Sequence, residues 1–176
     1  RGSVRHRLPW LLINLATVLA TGFVLNLFTE TLSSLTILAV FLPVVMGQAG
    51  ISGNQTLTII VRSMAIGDTA PGDARKLLVR EALLAIAQGI VVAVVIAGIV
   101  FLWRGDAYLA GIVAGALFLN MLIAGLSGVL IPFTLRALKA DPATSSAVFL
   151  TTVTDIAGIA AYMGLATGFL SLLDKG

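Results

Sequence analysis

Five long stretches of this chain carry almost no charge, and that constrains the fold more than any other feature. Leu8–Thr29, Thr31–Val61, Ala82–Trp103 and Ala107–Leu135 contain no Asp, Glu, Lys or Arg, and Pro142–Leu173 contains only Asp155. A helix rises about 1.5 Å per residue, so about 20 apolar residues cross the roughly 30 Å of a bilayer's hydrocarbon. β-Barrel strands would instead alternate over about 10 residues, and no such pattern is present. Composition agrees: 59% of the 176 residues are hydrophobic and 11% charged, with a mean hydropathy of +1.07. Soluble domains have roughly 45–50% apolar and about 25% charged residues. The chain reads as an all-α membrane protein with five transmembrane helices per protomer, over residues 8–29, 31–66, 80–103, 107–135 and 142–173. Residues 1–7, which open Arg1-Gly2-Ser3 without a Met, read as a tag remnant or a cytoplasmic lead-in.

The second stretch raises an alternative. Fully helical, Thr31–Val61 would be about 46 Å long, which exceeds one hydrocarbon thickness. It contains Pro43 and the small, polar run Gly47-Gln48-Ala49-Gly50-Ile51-Ser52-Gly53-Asn54-Gln55, where a division would give six helices. No charge marks a loop at 47–55, so one long, tilted and kinked helix is the expectation.

Charge sets the expected orientation. Arg1, Arg5, Arg7, Arg62, Arg75, Lys76, Arg80, Arg136 and Lys139 fall on one side of the layout, and only Arg104 and Lys175 on the other. The N-terminus is then cytoplasmic and the C-terminus external. Arg62 and Arg80 are expected to reach the interface, with Glu81 as a local partner for one of them.

Several chemistries are excluded. With no Cys and a single His, His6, there is no thiolate nucleophile, Cys-type or His-cluster metal site, or imidazole-based triad within a span. Gly125-Leu126-Ser127-Gly128 has the form of an intramembrane serine protease motif but lacks its base. Aspartyl intramembrane proteolysis needs two facing acids, and a GxxxxGK[ST] phosphate loop is missing. The chain is not expected to be an enzyme or to bind nucleic acid.

Asp155 is the outlier. It lies roughly 13 Å into its helix, near the bilayer midplane, where an acid costs about 2.5–3.5 kcal/mol. Thr151, Asp155, Gly158 and Tyr162 share one helical stripe, which Thr144 and Val148 continue, as a wet lumen would need. The plainer reading is a protonated or hydrogen-bonded acid that joins two helices. Gly47, Gly50 and Gly53 likewise leave one face without side chains, and Asn54 and Gln55 add amide oxygens suited to a hard or hydrated cation. That face is either a pore wall or a small-residue packing seam. Asn14, Thr17 and Thr21 on the first helix, and Asn120 and Ser127 on the fourth, read as interhelical hydrogen-bonding groups. A single acid is a poor divalent-cation site unless a two-fold axis brings two copies of Asp155 together. The membrane potential would then supply about 4.6 kcal/mol for a double charge at 100 mV.

The segment Pro43-Val44-Val45-Met46-Gly47-Gln48-Ala49-Gly50-Ile51-Ser52-Gly53-Asn54-Gln55, with Ile60-Val61-Arg62, resembles the second transmembrane helix of MgtE-type magnesium channels. Arg80-Glu81 resembles the start of the third, and Asp141-Pro142-Ala143 with Thr154-Asp155-Ile156-Ala157-Gly158 resembles the fifth. The resemblance implies a homodimer whose pore is lined by helices 2 and 5. Asp155 would hold Mg²⁺ through its waters, with the backbone carbonyl of Thr151 contributing. Gly47, Gly50 and Asn54 would line the helix 2 wall, and Ala147 and Gly158 the helix 5 wall. Two family amides are replaced: the usual Gly-Gly-Asn-x-Gly-Asn-Gln has Ile51 at its Asn, and Ala147 stands at a helix 5 Asn. The expected function is a Mg²⁺-permeable channel of the bacterial inner membrane, with Mn²⁺, Co²⁺ and Ca²⁺ as other candidate ions. The family's cytoplasmic regulatory domains would be separate or truncated. An H⁺- or Na⁺-coupled transporter, or a non-conducting assembly subunit, is the alternative.

Overall fold

The computed structural model describes the backbone of residues 2–173 and the side chains of residues 8–70 and 72–170. Arg1 and Lys175, which entered the charge layout, lie outside the described residues. Those described form six α-helices and no strand: α1 (Gly2–Asn26), α2 (Thr29–Ser34), α3 (Leu38–Ala65), α4 (Ala74–Arg104), α5 (Ala107–Ala137) and α6 (Pro142–Leu173). One turn of 3₁₀ helix, Pro71–Asp73, precedes α4. α1 begins at Gly2 and so takes in residues expected to be a lead-in.

Leu8–Asn26, Ala74–Arg104, Ala107–Ala137 and Pro142–Leu170 are long and apolar enough to cross a membrane. α3 has 28 residues, about 42 Å, but its glycines, amides and hydroxyls hold its hydropathy below theirs.

The single helix expected over 31–66 is divided, though not in the glycine segment. The interruption falls at residues 35–37, between α2 and α3, and the helix then runs through Gly47–Gln55 without a gap. Ser33, Ser34 and Thr36 surround the break, and such hydroxyls compete with the helical backbone. The Ser33 hydroxyl donates to the Glu30 carbonyl at 2.9 Å. Pro43 breaks nothing because it sits early in α3. The carbonyl it leaves without an N–H is that of Ala39, in the first turn.

The connections are short and locally specified. Gly105 ends α4 in the left-handed region at φ 69°, and Asp106 caps α5 by accepting from the Tyr108 and Leu109 amides at 2.8 and 3.1 Å. Asp141 caps α6 through the Ala143 amide at 3.0 Å, with Pro142 at the first helical position. The 66–73 connection is tied back by Arg136, which donates to the Thr69 carbonyl at 3.1 Å.

α5 is the hub. It packs against α3, α4 and α6, while α3 also packs on α6, and α1 and α2 lie against α6. Large side chains fill the end where α3 starts and α6 finishes: Leu38, Phe41, Val100, Val113, Tyr162 and Met163. Toward the 66–73 connection follows a smaller cluster of Ala49, Leu117, Met121 and Ala124.

Candidate functional site

The two faces of α3 differ in what covers them. Val45, Ala49, Gly53, Thr56 and Ile60 are buried against α5 and α6, at a helical spacing. Pro43, Gly47, Ile51, Asn54 and Thr58 are exposed on the opposite side. No described atom comes within 4 Å of where a Cβ would stand on Gly47 or Gly50. Ile51, Asn54, Gln55, Thr58 and Ile59 line a groove of about 600 Å³ on that open face. The Thr58 hydroxyl is used internally, donating to the Asn54 main-chain carbonyl at 2.7 Å, and the Asn54 side-chain amide has no hydrogen-bond partner among the described residues.

On α6 three threonine hydroxyls are likewise satisfied within the helix, whereas the buried Ser146 hydroxyl has no partner among the described residues. Thr151 donates to the Ala147 carbonyl at 2.9 Å, Thr152 to that of Val148 at 2.8 Å, and Thr154 to those of Leu150 and Thr151 at 3.1 Å. Half-buried Asp155 differs, for its carboxylate has no hydrogen-bond or ion-pair partner among the described residues. Ala147 and Thr144 are exposed, and Thr151 is half-buried.

The stripe through Asp155 does not stay wet along its length. Gly158 is buried, and a Cβ there would lie 2.5 Å from Asn120 Nδ2 and 3.5 Å from Met46. Tyr162 is fully buried and donates to the Leu38 carbonyl at 3.0 Å. Within the protomer Gly158 is a close-packing glycine rather than part of an open wall, because α5 crosses α6 there. Thr151 and Asp155 lie just before that crossing.

Two packing contacts set the depth of Asp155. α3 and α6 run antiparallel, with Met46 beside Gly158 and Leu150 3.1 Å from a Cβ on Gly53. Equal rise along both helices then puts Asp155 about level with Ala49, beside the open face of α3.

Sequence reasoning missed Glu81. Expected as a surface partner for Arg62 or Arg80, it is buried instead and accepts a hydrogen bond from the Thr56 hydroxyl at 2.9 Å. Glycines bring the backbones together around it. A Cβ on Gly128 would lie 2.9 Å from the Gly53 carbonyl and from Thr56, and one on Gly125 2.9 Å from the Ala85 Cβ. The signal was available: Glu81, Ala85 and Gly89 recur every four residues, a small-residue row that marks the packed face of α4. Asn120 does bridge helices, donating to the Val45 carbonyl at 3.2 Å. Thr17 and Thr21 do not, since they bond the Asn14 and Thr17 carbonyls of their own helix at 2.8 and 3.0 Å.

One protomer supplies Asp155 as a lone acid at this level. Among the described residues no three His, Cys, Asp or Glu side chains gather to hold a metal ion. What the described residues offer is a carboxylate without a partner near the middle of α6, about level with Ala49 of a helix whose other face is polar and open.

Comparison with known proteins gives a consistent result. The family described as "MgtE: Divalent cation transporter" matches residues 42–165. A protein of Bacillus subtilis (strain 168) named magnesium transporter MgtE is 36% identical over 168 residues, 96% of this chain and 37% of its own. The same name belongs to a Thermus thermophilus protein, 33% identical over 91% of this chain and 35% of its own, and to an Enterococcus faecalis protein, 31% identical over 96% and 37%. The chain thus spans little more than a third of the length of these relatives.

Proposed function

Starting from a chain that belongs to the MgtE family of divalent cation transporters, we propose that it forms the membrane passage for a hydrated divalent cation, Mg²⁺ first. Two protomers meet across the open faces of α3 and α6, so that their Asp155 carboxylates share one ion on a two-fold axis. The observation that carries this is the Asp155 carboxylate, half-buried at mid-span, without a partner among the described residues and about level with Gly47, Gln48 and Gly50 of α3.

The chemistry follows from the donors present. Mg²⁺ holds octahedral oxygen geometry and gives up its waters reluctantly, so one or two carboxylates plus retained waters suit it. The Thr151 carbonyl and the Asn54 amide offer neutral oxygens to those waters. Gly47 and Gly50 keep the wall free of side chains, and Ala147 leaves the α6 wall equally open. α3 becomes the fifth span in this reading. Its low hydropathy is what a helix lining water requires, because unpaired amides are tolerated at membrane depth only where they face a cavity or protein. The basic 66–73 side is cytoplasmic by the excess of Lys and Arg, and the bacterial inner membrane supplies the potential that drives entry.

The test is Mg²⁺ influx into liposomes under an imposed potential. Asp155→Asn removes the charge and keeps the shape, so influx is lost while the protein still elutes as the wild-type dimer. Influx equal to wild type would overturn the assignment. Recording H⁺ and Na⁺ alongside separates a channel, in which neither moves, from a coupled carrier.

A further inference from the structure

A second polar recess lies on the other flank of α3, toward α4. Gln48, Ser52 and Gln55 of α3 and Gln88 of α4 line it, with Val92 and Met121 completing the walls, in a volume of about 220 Å³. None of these four polar side chains has a hydrogen-bond partner among the described residues. Leaving several amides unpaired against hydrocarbon is expensive, so such groups at membrane depth meet water, an ion or other polar groups.

The depth of the recess is set by contacts already described. Thr56 of α3 bonds Glu81 of α4, and Ala85 of α4 meets Gly125 of α5. α4 runs antiparallel to α3, so Gln88, seven residues beyond Glu81, stands about level with Ala49. That is the level of Asp155 on the opposite flank. The recess is not isolated either: Ile51 and Gln55 line both it and the groove over Asn54 and Thr58.

We infer that the Gln48–Ser52–Gln55–Gln88 recess is a second, uncharged station for a hydrated divalent cation, opening onto the same path as Asp155. This rests on the cation-passage reading proposed above. An ion with six waters at about 30 Å³ each needs about 180 Å³, which the recess can hold. Amide and hydroxyl oxygens accept hydrogen bonds from the ion's waters without stripping them. The absence of charge lets the ion leave, and conduction needs sites that bind without trapping.

The chain has no Cys, so a single introduced thiol reports cleanly. Gln88→Cys and Gln48→Cys proteins in liposomes are exposed to a charged, membrane-impermeant methanethiosulfonate reagent, with and without millimolar Mg²⁺. The expected result is modification at both positions, slowed several-fold by Mg²⁺. Gln88→Leu is expected to lower Mg²⁺ influx several-fold with normal elution, and Gln88→Asn to restore part of it. Three results overturn the recess as an ion station. They are no modification, modification indifferent to Mg²⁺, or spontaneous disulfide cross-linking between two copies of the Gln88→Cys protein without reagent access, the mark of a subunit seam. If Asp155→Asn abolishes influx while Gln88→Leu leaves it at the wild-type level, the recess alone fails. If the wild-type protein shows no influx, the reading beneath it fails instead.

Discussion

Gly47 and Gly53 sit less than two turns apart on α3 and do opposite things. Gly53 is buried, with the Leu150 side chain and the Ala124 carbonyl 3.1–3.2 Å from where its Cβ would be. Gly47 faces open space. The difference teaches that a glycine-rich membrane helix need not be either a packing seam or a cavity wall. One face of α3 brings its backbone onto α5 and α6. The other presents small residues and amides that none of the described residues covers.

The largest effect is expected on the packed face. A Cβ at Gly128 meets the Gly53 carbonyl, which is backbone and cannot rotate away. Gly128→Ala should therefore cost about 3 kcal/mol, the upper end of overpacking costs, seen as a lower unfolding midpoint in detergent. An unchanged midpoint would mean that α3 and α5 are not pressed together there. Thr56→Val comes next. It removes the hydroxyl that Glu81 accepts from, and hydrogen bonds to charged groups contribute about 1.5–3 kcal/mol. The same unfolding measurement checks it, and a negligible loss would show that water reaches Glu81. The smallest effect, with the opposite sign, belongs to the open face. Gly47→Ala adds helix propensity of up to about 1 kcal/mol with nothing to collide with, so stability should hold or rise. A clear loss of stability would place another backbone against Gly47 and turn that face into a seam.

The mid-span acid illustrates what sequence could and could not supply. That Asp155 lies deep in an apolar helix was legible, because the absence of charge around it is a one-dimensional fact. Its companions were read from the 3.6-residue period alone, and that period carried the stripe on through Gly158 and Tyr162, which α5 and the start of α3 bury. Glu81 was misread for the converse reason. Its neighbours in sequence are Arg80 and the basic 66–77 segment, whereas its hydrogen-bond partner is Thr56, on another helix. Local propensity also points to the glycine segment as the weak place in the second long stretch. The break comes instead at the Ser/Thr-rich 33–37 stretch, while the glycine segment stays helical with Ala49 and Gly53 buried against α5 and α6.

The sequence by itself determined an all-helical chain with long apolar helices, the residues that end them, and a solitary acid near the middle of the last. These follow from backbone hydrogen bonding and hydropathy, which each segment obeys locally. Only the tertiary structure decided which side of α3 is covered, which glycines are contacts, and where Asp155 and Gln88 stand relative to each other. Those depend on which helix lies alongside, and a helical period specifies a direction without naming the neighbour that occupies it.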